Sequence, residues 1–395
     1  MKMHTLKKVL SVICVLAVML SVCVVSFAGG SSAAGGGTEY TLNNAGKVSK
    51  VQLNAGDALP IPEAAVNKAE FLGWVGADRT TVQTVAGADT TLYAKYAEAV
   101  YTFDDSTDTN KNGIYDPNNK WNKGYMNSFS FVEDPVTGVA GNTVVKCQEN
   151  TGSSKSSANY SNMALTNLDG TGVTVEKGAT YRLYFKYHVA QLSNNKMFIQ
   201  IYSTNPNYIG ITGGKTQQLI YASSIDKSIP ATGYGAISIG AVSAADEWMD
   251  GYIDFKLKDD TPDDQNYLLF RCGNSAAITE DADPGLVYFD DFVIVKLQES
   301  QYTFYNKGVK TVKSVTNMSA FPVVAGGSAF KGWYDVNLKQ SYTVVPTNCK
   351  TLVAVYSTLN LSFDHKGVFG TPAGFTAQGG ALKANLASGA ANFKF

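Results

Sequence analysis

Apolar and polar residues alternate with a period of two along most of this chain, and that rhythm predicts strands. Val48-Ser49-Lys50-Val51-Gln52-Leu53 alternates as a half-buried strand does. Asn54-Ala55-Gly56-Asp57 then turns the chain, and Pro60-Ile61-Pro62 forbids helix directly after it. Thr91-Leu92-Tyr93-Ala94-Lys95-Tyr96 reads as a closing strand. Further strands are predicted over 143–148, 181–189, 196–203, 236–241, 251–257, 267–272 and 286–297, separated by loops of Gly, Asn, Ser, Asp and Pro. No comparable stretch carries a capped apolar period of 3.6 residues, so the pattern predicts an all-β chain whose central part is a two-layer antiparallel sandwich. About two hundred residues with this many strands suffice to bury a full core.

One phrase occurs twice. Phe71-Leu72-Gly73-Trp74, Thr91-Leu92-Tyr93-Ala94-Lys95-Tyr96 and Phe103-Asp104 return about 260 residues later as Phe330-Lys331-Gly332-Trp333, Thr351-Leu352-Val353-Ala354-Val355-Tyr356 and Phe363-Asp364. The phrase is far shorter than the offset, so small and large modules are expected to alternate. Small modules are placed at 39–98 and 302–358, and a large one at 101–297. A second large module is expected to start at 361 and break off at Phe395, because Leu361-Ser362-Phe363-Asp364 stands where Tyr101-Thr102-Phe103-Asp104 stood. With one or two strands, 361–395 is too short for a core and is expected to be poorly ordered or edge-paired. In each small module the aromatic pair of Phe-x-Gly-Trp fills a small core, and the glycine lets the backbone pass closely.

The small modules resemble the internalin B-repeat, also called the Listeria–Bacteroides repeat. Its Gly turn followed by prolines, its Phe-x-Gly-Trp core and its Thr-Leu-Tyr-Ala-x-Tyr end are all met between Val51 and Tyr96. The second copy departs at Leu352-Val353-Ala354-Val355, and its turn Asn317-Met318-Ser319 lacks the glycine. The resemblance implies a small β-grasp-like fold that acts as a spacer or adhesive unit in surface proteins and has no active site. In the large module, Gly178-Ala179-Thr180-Tyr181-Arg182-Leu183-Tyr184-Phe185 and Leu286-Val287-Tyr288-Phe289-Asp290-Asp291-Phe292-Val293-Ile294 are similar to strands of cenC-like carbohydrate-binding modules, and Glu247-Trp248 precedes the strand expected next. That resemblance implies a jelly roll that binds glycans on a concave sheet face or at loop tips, commonly with a structural calcium.

Lys2, Lys7 and Lys8, the apolar run from Val9 to Val25 and the small residues after Ser26 form a secretory signal over 1–28. It is followed by a Gly/Ser-rich linker over 29–38 with no basic stop-transfer cluster. The chain is therefore expected to be secreted or held in a bacterial cell envelope, with no membrane span after the signal is removed. A formal net charge of −1, with no basic run interleaved with aromatics, argues against nucleic acid as a partner. Cys147 and Cys272 either pair or serve, with Cys349, as small buried hydrophobes.

Two clusters could hold a cation. Asp108, Asn110, Asn112 and Asp116 occupy positions 1, 3, 5 and 9 of an EF-hand-like loop with Gly113 at position 6, but Asn119 replaces the bidentate Glu at position 12. The alternative there is an Asn-Gly turn in a polar loop. Asp104 and Asp105 on the opening strand and Asp290 and Asp291 on the closing one would meet if first and last strands are neighbours. They would repel unless a cation or donors offset them; otherwise they are strand-end carboxylates taking backbone hydrogen bonds. Structural Ca²⁺ is the expected cofactor at both.

Sugar recognition needs flat apolar platforms beside amides and carboxylates. Trp121, Tyr125, Tyr160, Tyr202, Tyr208 and Trp248 lie outside the small modules, mostly at or beside Asn- and Gln-rich loops; all but Tyr202 are taken as site candidates, against the alternative that each is core. Catalytic signals are weak. Beyond the signal only His188 and His365 remain, and His188, inside a strand, is expected to pack or hydrogen-bond there. No Gly-x-Ser-x-Gly elbow, His-Glu-x-x-His helix or phosphate-cradling loop occurs. The expected function is a secreted, non-catalytic glycan-binding and adhesive segment, its partner a polysaccharide or cell-surface glycan, with host or cell-wall protein contacts open. The alternatives are a structural stalk or protein-binding adhesin without a sugar site, or an accessory region of a larger glycoside hydrolase.

Overall fold

The computed structural model describes residues 37–66, 68–76, 81–82, 85, 90–104, 129–148, 159–165, 175–192, 197–204, 215–274, 285–327, 329–335, 340–356, 375–378 and 381–384. Among them every regular element is a strand. The expected signal at 1–28 lies outside the described residues, and no helix among these is long and apolar enough to cross a membrane.

The first small sheet comprises β1 (Thr38–Asn44), β2 (Lys47–Leu53), β3 (Phe71–Val75), β4 (Thr81–Val82) and β5 (Thr91–Tyr96), in the order β2-β1-β5-β3-β4. β1 and β5 run parallel, with Thr41 opposite Thr91, which gives the β-grasp-like arrangement. Ala45 and Gly46, both at positive φ, close the β1–β2 hairpin in two residues. Phe71 and Trp74 stand three apart, so a regular strand would send them to opposite faces. A bulge between Phe71 and Gly73, with Gly73 at φ 140°, puts both in one core, rings 5.6 Å apart and edge-on.

The central body comprises β6 (Ala99–Tyr101), β7 (Phe129–Glu133), β8 (Thr143–Gln148), β9 (Asn159–Ala164), β10 (Thr180–Gln191), β11 (Phe198–Thr204), β12 (Lys215–Gln217), β13 (Leu219–Ser223), β14 (Ile237–Ser238), β15 (Met249–Lys256), β16 (Tyr267–Asn274) and β17 (Leu286–Leu297). The larger sheet runs β13-β15-β10-β17-β8-β7 with β6 also on β17, and the smaller runs β12-β11-β16-β9 with β14 on β11. Leu183, Phe185, Phe255, Phe289 and Phe292 face Ile199, Ile201, Leu268 and Phe270 across the core. Phe270 meets Phe289 and Phe292 edge-on at 5.2 and 5.0 Å. Cys147 and Cys272 are both buried in this core and are not bridged to one another.

The second small sheet, β18 (Glu299–Asn306), β19 (Val309–Thr316), β20 (Phe330–Asp335), β21 (Gln340–Tyr342) and β22 (Thr351–Tyr356), repeats the order of the first as β19-β18-β22-β20-β21. The bulge recurs between Phe330 and Gly332, with Gly332 at φ 140°. A hairpin of β23 (Phe375–Gln378) and β24 (Ala381–Ala384) follows.

Both small sheets pack on the outer face of the larger sandwich sheet. Tyr184, Val293 and Val295 are buried there against Ala45, Ala65, Val66 and Ala69 of the first module and Met318 of the second. Met318, at φ 60° in the glycine-free turn, presents its carbonyl to Tyr184 Oη at 3.0 Å and to Arg182 at 3.2 Å. Arg182 is held by both oxygens of Asp254, at 2.5 and 2.7 Å. The small modules also meet one another. Glu70 accepts the Asn348 and Cys349 amides at 2.6 and 2.7 Å, and the Gln340 side chain bonds Phe71 N and Ala69 O.

Candidate functional site

On β11 and β16, Ile199, Ile201, Phe270 and Cys272 point into the core, so Gln200, Tyr202 and Arg271 are left on the outer face of the smaller sheet. Gln200 lies opposite Arg271, and Tyr202 opposite Gln217 of β12. The Arg271 guanidinium stands 4.0 Å from the Tyr202 ring centroid and donates to Tyr202 Oη at 2.9 Å. Tyr202 Oη in turn donates to Gln200 Oε1 at 3.2 Å. All three side chains are half-buried. Planar groups of mixed donor and acceptor character, fixed by one another on an outward face, suit a ligand rich in hydroxyls. Tyr202 was the aromatic set aside in the sequence; its partner Arg271 carried no local signal, because only strand pairing brings the two together.

The other aromatics are dispersed. Tyr160 lies on β9, in register with Gly273 of the smaller sheet. Trp248 precedes β15 at the larger sheet and packs edge-on against His188, with centroids 6.2 Å apart. His188 is buried and its Nδ1 lies 2.7 Å from the Glu247 carbonyl, the packing role expected of it. Trp121, Tyr125 and Tyr208 lie outside the described residues, as do Asp105, Asp108, Asn110, Asn112 and Asp116.

First and last strands are neighbours: β6 pairs with β17, Tyr101 opposite Phe292. Asp104, expected on the opening strand, sits instead in the turn after Phe103, whose φ of 61° bends the chain out of the ladder. Its Oδ1 accepts Thr143 N at 3.1 Å, while Oδ2 is buried without a partner. Burial, then Asp291, pushes Asp290 up to about 8, and Asn142 donates to it at 3.3 Å. Lys186 pairs with Asp291 at 2.6 Å. Donors thus offset part of the repulsion, and among the described residues no group of three or more His, Cys, Asp or Glu side chains is arranged to hold a metal ion.

A groove of 890 Å³ opens where the small modules meet the sandwich, with Asn44, Lys47, Glu63, Lys186, Asp291 and Gln340 in its lining. Its two cations and two carboxylates balance.

No family model and no curated protein sequence matches the chain. Solved structures are similar over part of it. The enzymatically active domain of bacteriophage CBA120 tailspike protein 4 aligns at 10% identity over 44% of this chain and 18% of its own, with a TM-score of 0.24. A putative sugar binding protein from Bacteroides thetaiotaomicron aligns at 15% identity over 43% of this chain and 82% of its own, at 0.27. The family 30 carbohydrate-binding module of a Clostridium thermocellum cellulosomal cellulase aligns at 13% over 43% and 87%, at 0.25. The architecture described above rests on strand order and register, independently of these likenesses.

Proposed function

We propose that the chain is a non-catalytic glycan-binding and adhesive segment of a secreted surface protein, with the outer face of β11 and β16 as its sugar-binding surface. The observation that carries this reading is the Gln200–Tyr202–Arg271 constellation, whose planar polar groups match the alternating donors and acceptors of sugar hydroxyls. The small modules, alike in strand order and bulge, are the spacer or adhesive repeats that flank it. The test is retention on insoluble polysaccharides and a glycan array. The intact chain is expected to be retained, and Arg271→Ala or Tyr202→Ala to weaken binding about tenfold or more; failure of the intact chain to hold any glycan counts against the reading.

A structural stalk is the second reading, favoured by the placement of Tyr160 and Trp248 on different sheets. It predicts no retention in the same experiment.

Calcium belongs to the proposal as a structural ion at Asp104, whose Oδ2 is buried without a partner and whose charge acts on Asp290 and Asp291. Chelator is expected to lower the melting temperature, and an unchanged value removes the ion from the reading.

A further inference from the structure

The joint between the two small modules buries two carboxyls close together. Glu70 and Glu98, on the first module, are 2% and 6% exposed, and neither forms an ion pair with a described residue. Glu70 is well served, since two backbone amides of the second module point at its carboxylate. Glu98 has less. Its Oε2 accepts the Glu70 amide at 2.8 Å, and its Oε1 accepts a short hydrogen bond from the Thr347 hydroxyl of the second module. Thr347 Oγ1 also receives Asn317 Nδ2 at 3.3 Å.

The titratable groups around this pair are Asp335, Lys350, Cys349, Tyr302 and Tyr342, all on the second module. Lys350, the one cation among them, spends its ammonium on Tyr302 Oη and the Thr347 carbonyl at 2.8 and 2.5 Å. Asp335 adds a further buried carboxyl that acts on Glu70. Charging both Glu70 and Glu98 in a dry joint beside one diverted ammonium is costly.

We propose that the joint is an acid-locked clasp: a proton on Glu98 lets the first small module bury that carboxyl beside Glu70 against the second module, and loss of that proton leaves a second charge in the joint and loosens the two. Burial first, and then the neighbouring Glu70, pushes Glu98 up to about 7. The sign follows from a folded-state value raised above the ordinary 4.5. The clasp's contribution is complete below that ordinary value and is lost as pH rises through about 7. Deprotonation shifts the closed-to-open ratio by at most roughly two orders of magnitude.

Amide exchange of the full chain, with each rate divided by the unstructured rate at that pH, reads the clasp at Asn348 and Cys349. Their protection is expected to fall tenfold or more from about pH 5.5 to about 8.0 while segment 267–272 of the sandwich core keeps its own. Glu98→Gln, which stays neutral at both pH values and keeps an acceptor oxygen in the joint, is expected to hold high protection at both. Flat protection in the unaltered chain, a parallel fall in the core segment, or a wild-type slope in Glu98→Gln would each overturn the proposal. Should Glu98→Gln fail to fold, Glu98→Met replaces it. That variant carries no titrating group at the position and is expected to show the same protection at both pH values, and a wild-type slope there overturns the proposal equally.

Discussion

On the outer face of β10 and β17, Tyr184, Val293 and Val295 are buried beneath two small modules; on the outer face of β11 and β16, Gln200, Tyr202 and Arg271 stay half-buried and bond one another. Both faces carry an arginine over a tyrosine ring, at 4.2 Å for Arg182 and Tyr252 and 4.0 Å for Arg271 and Tyr202. What separates them is the neighbour. Arg182 is clamped by Asp254 and donates to the Met318 carbonyl of the docked module, so it is a structural rivet. Arg271 bonds the Tyr202 hydroxyl and the Gln200 amide, groups that a ligand can share. The same residue pair fastens a module on one sheet and, in the function proposed, serves recognition on the other.

The sharpest way to break this comparison is to remove Arg182. Arg182→Ala strands a buried Asp254 and is expected to cost about 3–5 kcal/mol by chemical denaturation, whereas Arg182→Met with Asp254→Leu recovers most of it. On the other face, Arg271→Ala is expected to change stability by less than about 1 kcal/mol while lowering polysaccharide affinity about tenfold or more, measured by affinity electrophoresis. A loss of several kcal/mol there would make Arg271 a second rivet. The smallest effect belongs to Trp248→Ala. Its ring rests on His188 at the larger sheet, so about 1 kcal/mol or less in stability and unaltered glycan retention are expected; loss of retention would move the sugar site to that sheet.

Much of the framework was legible in the chain. β5, β8 and β17 fall on the predicted spans, because alternation sustained over six or more residues leaves little ambiguity of period. β1 escaped, although Tyr40 and Leu42 alternate before the Ala45-Gly46 turn, as did β12 and β13, which are short strands whose identity comes from their partners. The flanking aromatics of each Phe-x-Gly-Trp were assigned to the core correctly, but the bulge that puts both on one face is a property of the ladder. Of the sugar-site candidates, Tyr160 and Trp248 went to different sheets, since loop proximity in sequence says nothing of which sheet a loop leaves.

Local pattern, then, determined the β character and the twofold occurrence of the small unit, both of which follow from period, turn chemistry and the repeated phrase itself. Tertiary structure decided which outer face is covered, which arginine is clamped, and that Glu70 and Glu98 of one module meet Thr347, Asn348 and Cys349 of the other. Those outcomes depend on contacts between residues from 72 to 279 positions apart. Burial and partner geometry set their energies, and neither is encoded in the spacing of neighbouring side chains.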